Sequence, residues 1–326
     1  MVFLWAGLAL IILVLAWLLR PLATCKLSIL NPVPELSYEE AVARFQAGMA
    51  AKEGVEILAP CHSILLAHGH KTERSVLLLH GLTNCPRQFE KLGQTFFNMG
   101  YNVLVPRMPR HGMADRLNGD LKHIKAEDLK AFTEESLAIM QGLGEKVSVI
   151  GLSGGGVLAM WLAQFCSAIE AALVISPSLG LYRSNVPLNG LYTKLFLRLP
   201  NIYNLRTPEN LLIAPPYVQI KNSSWAAAQF FRLGIAVFRA ARKHAPACQN
   251  IAVVSNASDI IINNALIHHL EELWQTRATW PVVTYEFPAE AKLPHDLIDP
   301  NAKADHSAEV YPVLLDLIEK AWNKTR

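Results

Sequence analysis

Val147-Ser148-Val149-Ile150-Gly151-Leu152-Ser153-Gly154-Gly155-Gly156 constrains the fold more than any other stretch of the chain. An apolar, β-branched run stops at a glycine, and a serine follows two residues later. Three more glycines and a helix-like segment, Val157 to Phe165, come next. This is a G-x-S-x-G pattern in a strand–turn–helix context. A serine at the apex of so sharp a turn sits in strained backbone with its hydroxyl presented. Gly151 and Gly155 let strand and helix pass close together, where a Cβ would clash. The helix start aims unpaired N–H groups at whatever the serine attacks.

The remaining segments supply a sheet for that turn to sit on. Ser75–His80 is a short continuous apolar run, as expected of a strand buried on both faces of a parallel sheet. Similar runs follow at Asn102–Val105, Val147–Ile150, Ala172–Ile175 and Ile251–Val254, and Val282–Phe287 reads as an edge strand. Helical patterns lie between or after them at Arg87–Asn98, Ala126–Gln141, Val157–Phe165, Asn263–Trp274 and Ala304–Trp322. Val55–Ala59 and Ile64–Ala67 are expected to pair as a hairpin at the start of the sheet. The alternation specifies an α/β class with a doubly wound, mostly parallel sheet.

One segment breaks the alternation. Residues 179–249 join two strands, where ~2–6 residues would be usual. The segment is rich in large apolar residues, among them Leu181, Tyr182, Tyr192, Phe196, Phe230 and Phe231, with helical stretches at Leu191–Leu199 and Ser224–Ala241. It reads as an inserted helical cap over the sheet's carboxyl edge, dividing the core into 37–178 and 250–326.

The N-terminus has its own character. Val2 to Leu19 carries no charge and ends at Arg20-Pro21, with Trp5 and Trp17 near its two ends. As a helix it would span about 27 Å, near the minimum for a hydrocarbon core of about 30 Å. A cleavable signal peptide normally has a basic start, and Met1-Val2-Phe3-Leu4 has none. The expectation is therefore an uncleaved transmembrane helix over 1–20 and a membrane localisation with a single-pass N-terminal anchor, its side left open. Residues 21–36, with Pro32 and Pro34, read as an extended linker. Ser37-Tyr38-Glu39-Glu40 has the spacing of a capping box and opens a helix to about Ala51.

Composition excludes several functions. The 326 residues carry a net charge of +3 with 17% charged residues, and no basic, aromatic-interleaved patch for nucleic acid is present. Five cysteines, Cys25, Cys61, Cys85, Cys166 and Cys248, have no C-x-x-C spacing and read as buried or incidental thiols rather than a zinc site or disulfide framework.

A serine hydroxyl is a poor nucleophile at neutral pH unless a base lies within hydrogen-bond reach, an acid orients that base, and N–H donors hold the oxyanion. His80-Gly81-Leu82-Thr83 leaves the first strong strand, and Asn84-Cys85-Pro86 then opens a helix. The Leu82 N–H is the candidate first oxyanion donor and the Gly154 N–H the second. Asp259 follows the Ile251–Val254 strand on a loop and is the candidate acid; Asp299 and Asp305 follow no strand directly. His295, in Leu293-Pro294-His295-Asp296 between the last strand and last helix, is the leading base. His306, near the start of that helix, is the alternative. His111 precedes Ser153 and suits pocket wall better than base.

With these residues in view, the chain resembles the α/β-hydrolase superfamily, in particular bacterial carboxylesterases and monoglyceride-lipase-like enzymes. His80-Gly81-Leu82-Thr83, Val105-Pro106-Arg107 with Arg110-His111-Gly112, Gly151-Leu152-Ser153-Gly154-Gly155, Asp259 and His295-Asp296 carry the resemblance, which runs from about Val55 to Trp322. Such relatives often have a glycine where Arg110 stands, and the Asp259-to-His295 spacing is long, which keeps His306 open. The resemblance implies the α/β-hydrolase fold and a serine hydrolase cleaving carboxylic esters, with no metal or organic cofactor; the apolar cap and the anchor favour a small-molecule or lipid ester with a medium-chain or lipid-derived acyl group. An acyltransferase, or a peptidase or amidase, uses the same triad. A non-catalytic binding protein with this fold is the reading of another class, and the complete Ser153–Asp259–His295 set argues against it.

Overall fold

The computed structural model describes residues 2–205, 215–302 and 304–322. Nine strands are described: β1 (Ile64–Leu66), β2 (Thr72–Leu79), β3 (Asn102–Val105), β4 (Gly144–Leu152), β5 (Ile169–Ile175), β6 (Tyr203–Leu205), β7 (Lys221–Ser223), β8 (Asn250–Asn256) and β9 (Val283–Phe287). Seven of them form one sheet in the order β1-β3-β2-β4-β5-β8-β9. From β3 to β9 every neighbouring pair is parallel, and β1 alone runs antiparallel, against β3.

The strands are buried on both faces, which is why they read as continuous apolar runs. Successive residues enter two different cores. Leu77, Leu79, Val149 and Val174 face one core. Val76, Leu78, Ile150 and Leu173 face the other. Helices α2 (Tyr38–Gly48), α4 (Ala126–Leu143), α5 (Gly154–Phe165), α7 (Ser224–Ala241) and α8 (Asn264–Arg277) contribute to the first core. Helices α3 (Glu90–Asn98) and α9 (Ser307–Trp322) contribute to the second. The capping box at Ser37 forms, with the Glu40 amide donating to the Ser37 hydroxyl and the Ser37 amide to the Glu40 carboxylate.

The segment between β5 and β8 carries α6 (Asn189–Arg198), the β6–β7 ribbon and α7. Residues 206–214 of the expected insertion lie outside the described residues.

Two expectations about the N-terminal third need correction. Residues 55–59 and 64–67 do not pair as a hairpin. Pro60 lies in a 3-10 turn over Ala59–Cys61, Ile57 bridges to Met113, and β1 adds to the sheet through β3 instead. Proline has no N–H for a ladder, so the chain turns there rather than folding back. The cysteine reading also changes: Cys61 and Cys85 are disulfide-bonded across 24 positions.

The transmembrane anchor is corrected as well. Helix α1 (Val2–Leu19) forms, but no helix among the described residues is long and apolar enough to cross a membrane. Its length of about 27 Å falls short of the roughly 30 Å hydrocarbon core. Its carboxyl end is also occupied by charged groups of the body. Arg198 of α6 donates to the carbonyls of Leu18 (2.6 Å) and Arg20 (2.7 Å), and Lys194 to that of Leu19 (3.2 Å). The membrane localisation and the membrane as a partner through this helix are set aside with the anchor.

The segment after α1 packs along the body of the protein. Arg232 of α7 donates twice to the Ala23 carbonyl, and Arg239 donates to the Thr24 hydroxyl. Leu27 is fully buried, and its carbonyl accepts from the Trp161 indole at 2.6 Å. The Asn31 amide and side chain both donate to Glu134, which also pairs with Lys130.

Candidate active site

The parallel strands deliver every candidate residue to one edge. Leu79 leads into His80-Gly81-Leu82, Leu152 into Ser153, Asn256 into Asp259, and Phe287 into the loop carrying His295. Open α/β sheets bind ligands at this carboxyl edge because the loops converge there.

Ser153 occupies the turn between β4 and α5 at φ 59° and ψ −114°, a left-handed φ that side chains other than glycine rarely adopt. Its amide donates to the Ile175 carbonyl at 2.9 Å, and its carbonyl accepts from Val157 and Ser178, so neighbouring backbone holds the strained turn. The glycines around it have no room for a side chain. A Cβ on Gly151 would meet the Gly155 carbonyl, and one on Gly155 the Leu79 carbonyl. Relief from those clashes lets α5 start directly against β2 and β4.

A Cβ on Gly154 would fall 3.0 Å from the Leu82 nitrogen and 3.0 Å from the Phe230 ring. The two candidate oxyanion amides are therefore close neighbours, with an α7 aromatic closing over them. The Gly154 amide belongs to the first turn of α5, whose N–H groups have no intrahelical acceptor.

The Asp259 side chain is fully buried, and its Oδ2 lies 2.6 Å from His295 Nδ1. Its Oδ1 accepts from the Ile261 and Ile262 amides at 2.8 and 3.2 Å. Burial alone would raise the Asp259 carboxyl, but the adjacent imidazole and the two amides outweigh it and hold the group below its usual range. A carboxylate only accepts, so His295 donates through Nδ1 and keeps a lone pair on Nε2. His306, in contrast, sits at the start of α9 with Glu309 at 3.6 Å.

Ser153, His295, Gly81 and Leu82 line one cavity of about 690 Å³. Its apolar wall includes Leu181, Phe231, Ile260 and Ile261, and polar groups face it from Asn204, Gln219 and Asn222. Asp259 backs His295 and borders a second cleft, of about 740 Å³, among whose lining residues neither Ser153 nor His295 is found. The first cavity is the candidate site, since Ser153 and His295 line it together. The segment after β5 is tied to the core at two points: the Gln219 amide donates to the Thr83 carbonyl at 2.7 Å, and the buried Tyr217 hydroxyl donates to Asp299 at 2.7 Å.

Beside this cavity lies a buried histidine pair. His80 Nδ1 donates to the Gly81 carbonyl (2.9 Å), and its Nε2 accepts from the Met108 amide (3.0 Å). His111 Nδ1 donates to the Pro109 carbonyl at 2.9 Å, and the two rings meet edge to face at 5.1 Å. Burial, then the neighbouring ring, pushes His80 well below its ordinary value, and burial brings His111 down to about 4. Arg110, where relatives often have glycine, takes φ 66°.

Sequence reasoning missed the contacts that lock these loops. Gln88 is fully buried between Gly81 and Asp296, 208 positions away. Tyr217 and Asp299 are 82 apart. No local pattern signals such pairs. The polar wall at Asn204, Gln219 and Asn222 was masked by the apolar richness of the surrounding insertion.

The family described as "Alpha/beta hydrolase family" matches residues 76–316. A thermostable monoacylglycerol lipase of Bacillus sp. (strain H-257) is 33% identical over 89 residues, 27% of this chain. The chain spans only 34% of that relative's length in the match. Among solved structures, the Paleococcus ferrophilus monoacylglycerol lipase is similar at a TM-score of 0.55 and 17% identity, covering 79% of this chain and 98% of that one. A soluble variant of the Saccharomyces cerevisiae monoglyceride lipase gives 0.54 and 15%, covering 80% and 90%. The metagenome-derived lipolytic enzymes LipS and LipT give 0.60 and 15%, covering 81% and 99%. At these identities the structural likeness concerns the fold.

Proposed function

The chain belongs to the alpha/beta hydrolase family, and from that premise we propose that it is a serine hydrolase cleaving carboxylic esters through Ser153, His295 and Asp259. One observation carries the reading: the buried Asp259–His295 hydrogen bond, its imidazole on the wall of the cavity that Ser153 enters from a strained turn.

Asp259 holds His295 in the tautomer that leaves Nε2 as the base. Nε2 takes the Ser153 proton as Oγ attacks the ester carbonyl. The Leu82 and Gly154 amides receive the oxyanion, and the alcohol leaves with the proton from His295. Water, activated by the same nitrogen, then cleaves the acyl-enzyme and regenerates Ser153. The residues between β5 and β8 act as a cap over this cavity.

The cavity's composition supports a lipid-like ester. Leu181, Phe231, Ile260 and Ile261 suit an apolar acyl chain, while Asn204, Gln219 and Asn222 suit a small hydroxylated alcohol. The monoacylglycerol lipases named among the similar proteins point the same way. A fluorophosphonate probe tests the reaction class: Ser153 is expected to be labelled, and folded protein without that label sinks the hydrolase reading. A p-nitrophenyl ester series tests the substrate. Preference for medium chains is expected, and preference for acetate overturns the lipid-like assignment.

A further inference from the structure

We propose that Gln88 is a positioning residue that couples the oxyanion loop to the histidine loop. The inference rests on the roles assigned above to Leu82 and His295.

Gln88 lies in the 3-10 turn Pro86–Phe89, immediately after the disulfide-bonded Cys85. Its side chain is fully buried, and both ends of its amide are used. Oε1 accepts from the Gly81 amide at 2.9 Å, and Nε2 donates to Asp296 Oδ1 at 3.0 Å. Gly81 precedes Leu82, the oxyanion donor, and Asp296 follows His295, the base. One planar group thus joins the residues adjacent to two catalytic elements from opposite ends of the chain.

The location is equally specific. A Cβ on Gly81 would sit 3.5 Å from Ser153 Cβ and 3.7 Å from Gln88 Oε1. The Gln88 amide and the Ser153 Cβ therefore both lie beside the bare Cα of Gly81.

The side-chain type follows from the two bonds. A glutamate accepts from Gly81 but has no proton for Asp296 when ionised. A lysine donates to Asp296 but accepts nothing. A leucine fills the volume and makes neither bond. A buried amide must be satisfied in any fold. What distinguishes coupling is that breaking either bond displaces the amide relative to the base, and an error of about 1 Å in such geometry costs on the order of a hundredfold in rate.

The test compares Gln88→Leu, Asp296→Ala, their double variant and Asp296→Asn with wild type in p-nitrophenyl butyrate hydrolysis and fluorophosphonate labelling. For Gln88→Leu, kcat and the labelling rate are expected to fall together by about ten- to a hundredfold, with KM changed less than about twofold. Asp296→Ala should match it, and the double variant should add nothing, because both substitutions break one link. Asp296→Asn should restore kcat to within about threefold of wild type, since an amide oxygen still accepts from Nε2. A folded Gln88→Leu with wild-type kcat, a loss confined to thermal midpoint, or additive losses in the double variant overturn the proposal. If Gln88→Leu does not fold, Asp296→Ala decides alone: unchanged kcat overturns the coupling. A wild type that never labels at Ser153 overturns the hydrolase reading itself. Labelled wild type with an equally reactive Gln88→Leu overturns only the coupling.

Discussion

His295 with Asp259, and His80 with His111, are two histidine arrangements at the same sheet edge, and they differ in what each ring nitrogen touches. In the first, Nδ1 meets a carboxylate and the ring borders the cavity. In the second, Nδ1 of each ring meets a backbone carbonyl, both rings are buried, and His80 Nε2 is taken by the Met108 amide. A carboxylate partner stabilises an imidazolium formed during proton transfer, and a carbonyl in a dry site does so far less. Residue type is shared; the neighbours suit one arrangement to the proposed role of base and make the other a structural pin between the β2 and β3 loops.

The sharpest way to break the comparison is to remove the base. His295→Ala is expected to lose about 10⁶-fold in kcat in protein that still folds, whereas His306→Ala keeps its turnover; the reverse result would move the base to His306. Asp259→Asn comes next, at about 10⁴-fold in kcat, because the amide supports the wrong tautomer; a loss under tenfold would remove Asp259 from its role. His80→Leu should act on stability instead. It strands the Met108 N–H in the interior, at about 2 kcal/mol, measurable as a lowered urea midpoint, while the Gly81 carbonyl keeps the Asn84 amide.

The last effect is a pH slope. The His111 value is depressed in the fold to about 4, so protonation favours the unfolded chain. Its contribution to stability is fully present above the unfolded value of about 6.5 and is lost as pH falls towards 4, by about 3 kcal/mol at most. Urea midpoints at pH 7 and pH 4.5 check this. The difference should shrink in His111→Gln, and an unchanged difference would mean that His111 does not carry the slope.

The contrast also marks what could be read from sequence. Ser153 stood out because its turn is local: the spacing of Gly151, Ser153 and Gly155 states the steric requirement within five residues. Asp259 and His295, expected from strand ends, do meet. The histidine pin was not foreseen. His80 read as part of a loop motif, and nothing in the chain shows that its ring crosses to Met108. Gln88 and Tyr217 were invisible for the same reason, since their partners are fixed only once the sheet has assembled. The failed hairpin has a local cause in Pro60, whose effect on β1 was not weighed. At the N-terminus, hydropathy spoke for a membrane span, while the arginine and lysine that hold the end of α1 lie in a distant helix.

Those arginine contacts carry a consequence for the length of the folding unit. Residues 22–31 fill core space and satisfy buried donors, so a chain begun at residue 37 would leave the Trp161 indole N–H and the Lys130–Glu134 pair each short of a partner. It would also release Arg232 and Arg239 of α7 from the Ala23 and Thr24 acceptors that fix this helix beside the cavity. Trimming to the region of family resemblance would remove part of the support of α7, and the shortened protein would report on a loosened cavity wall rather than on the native one.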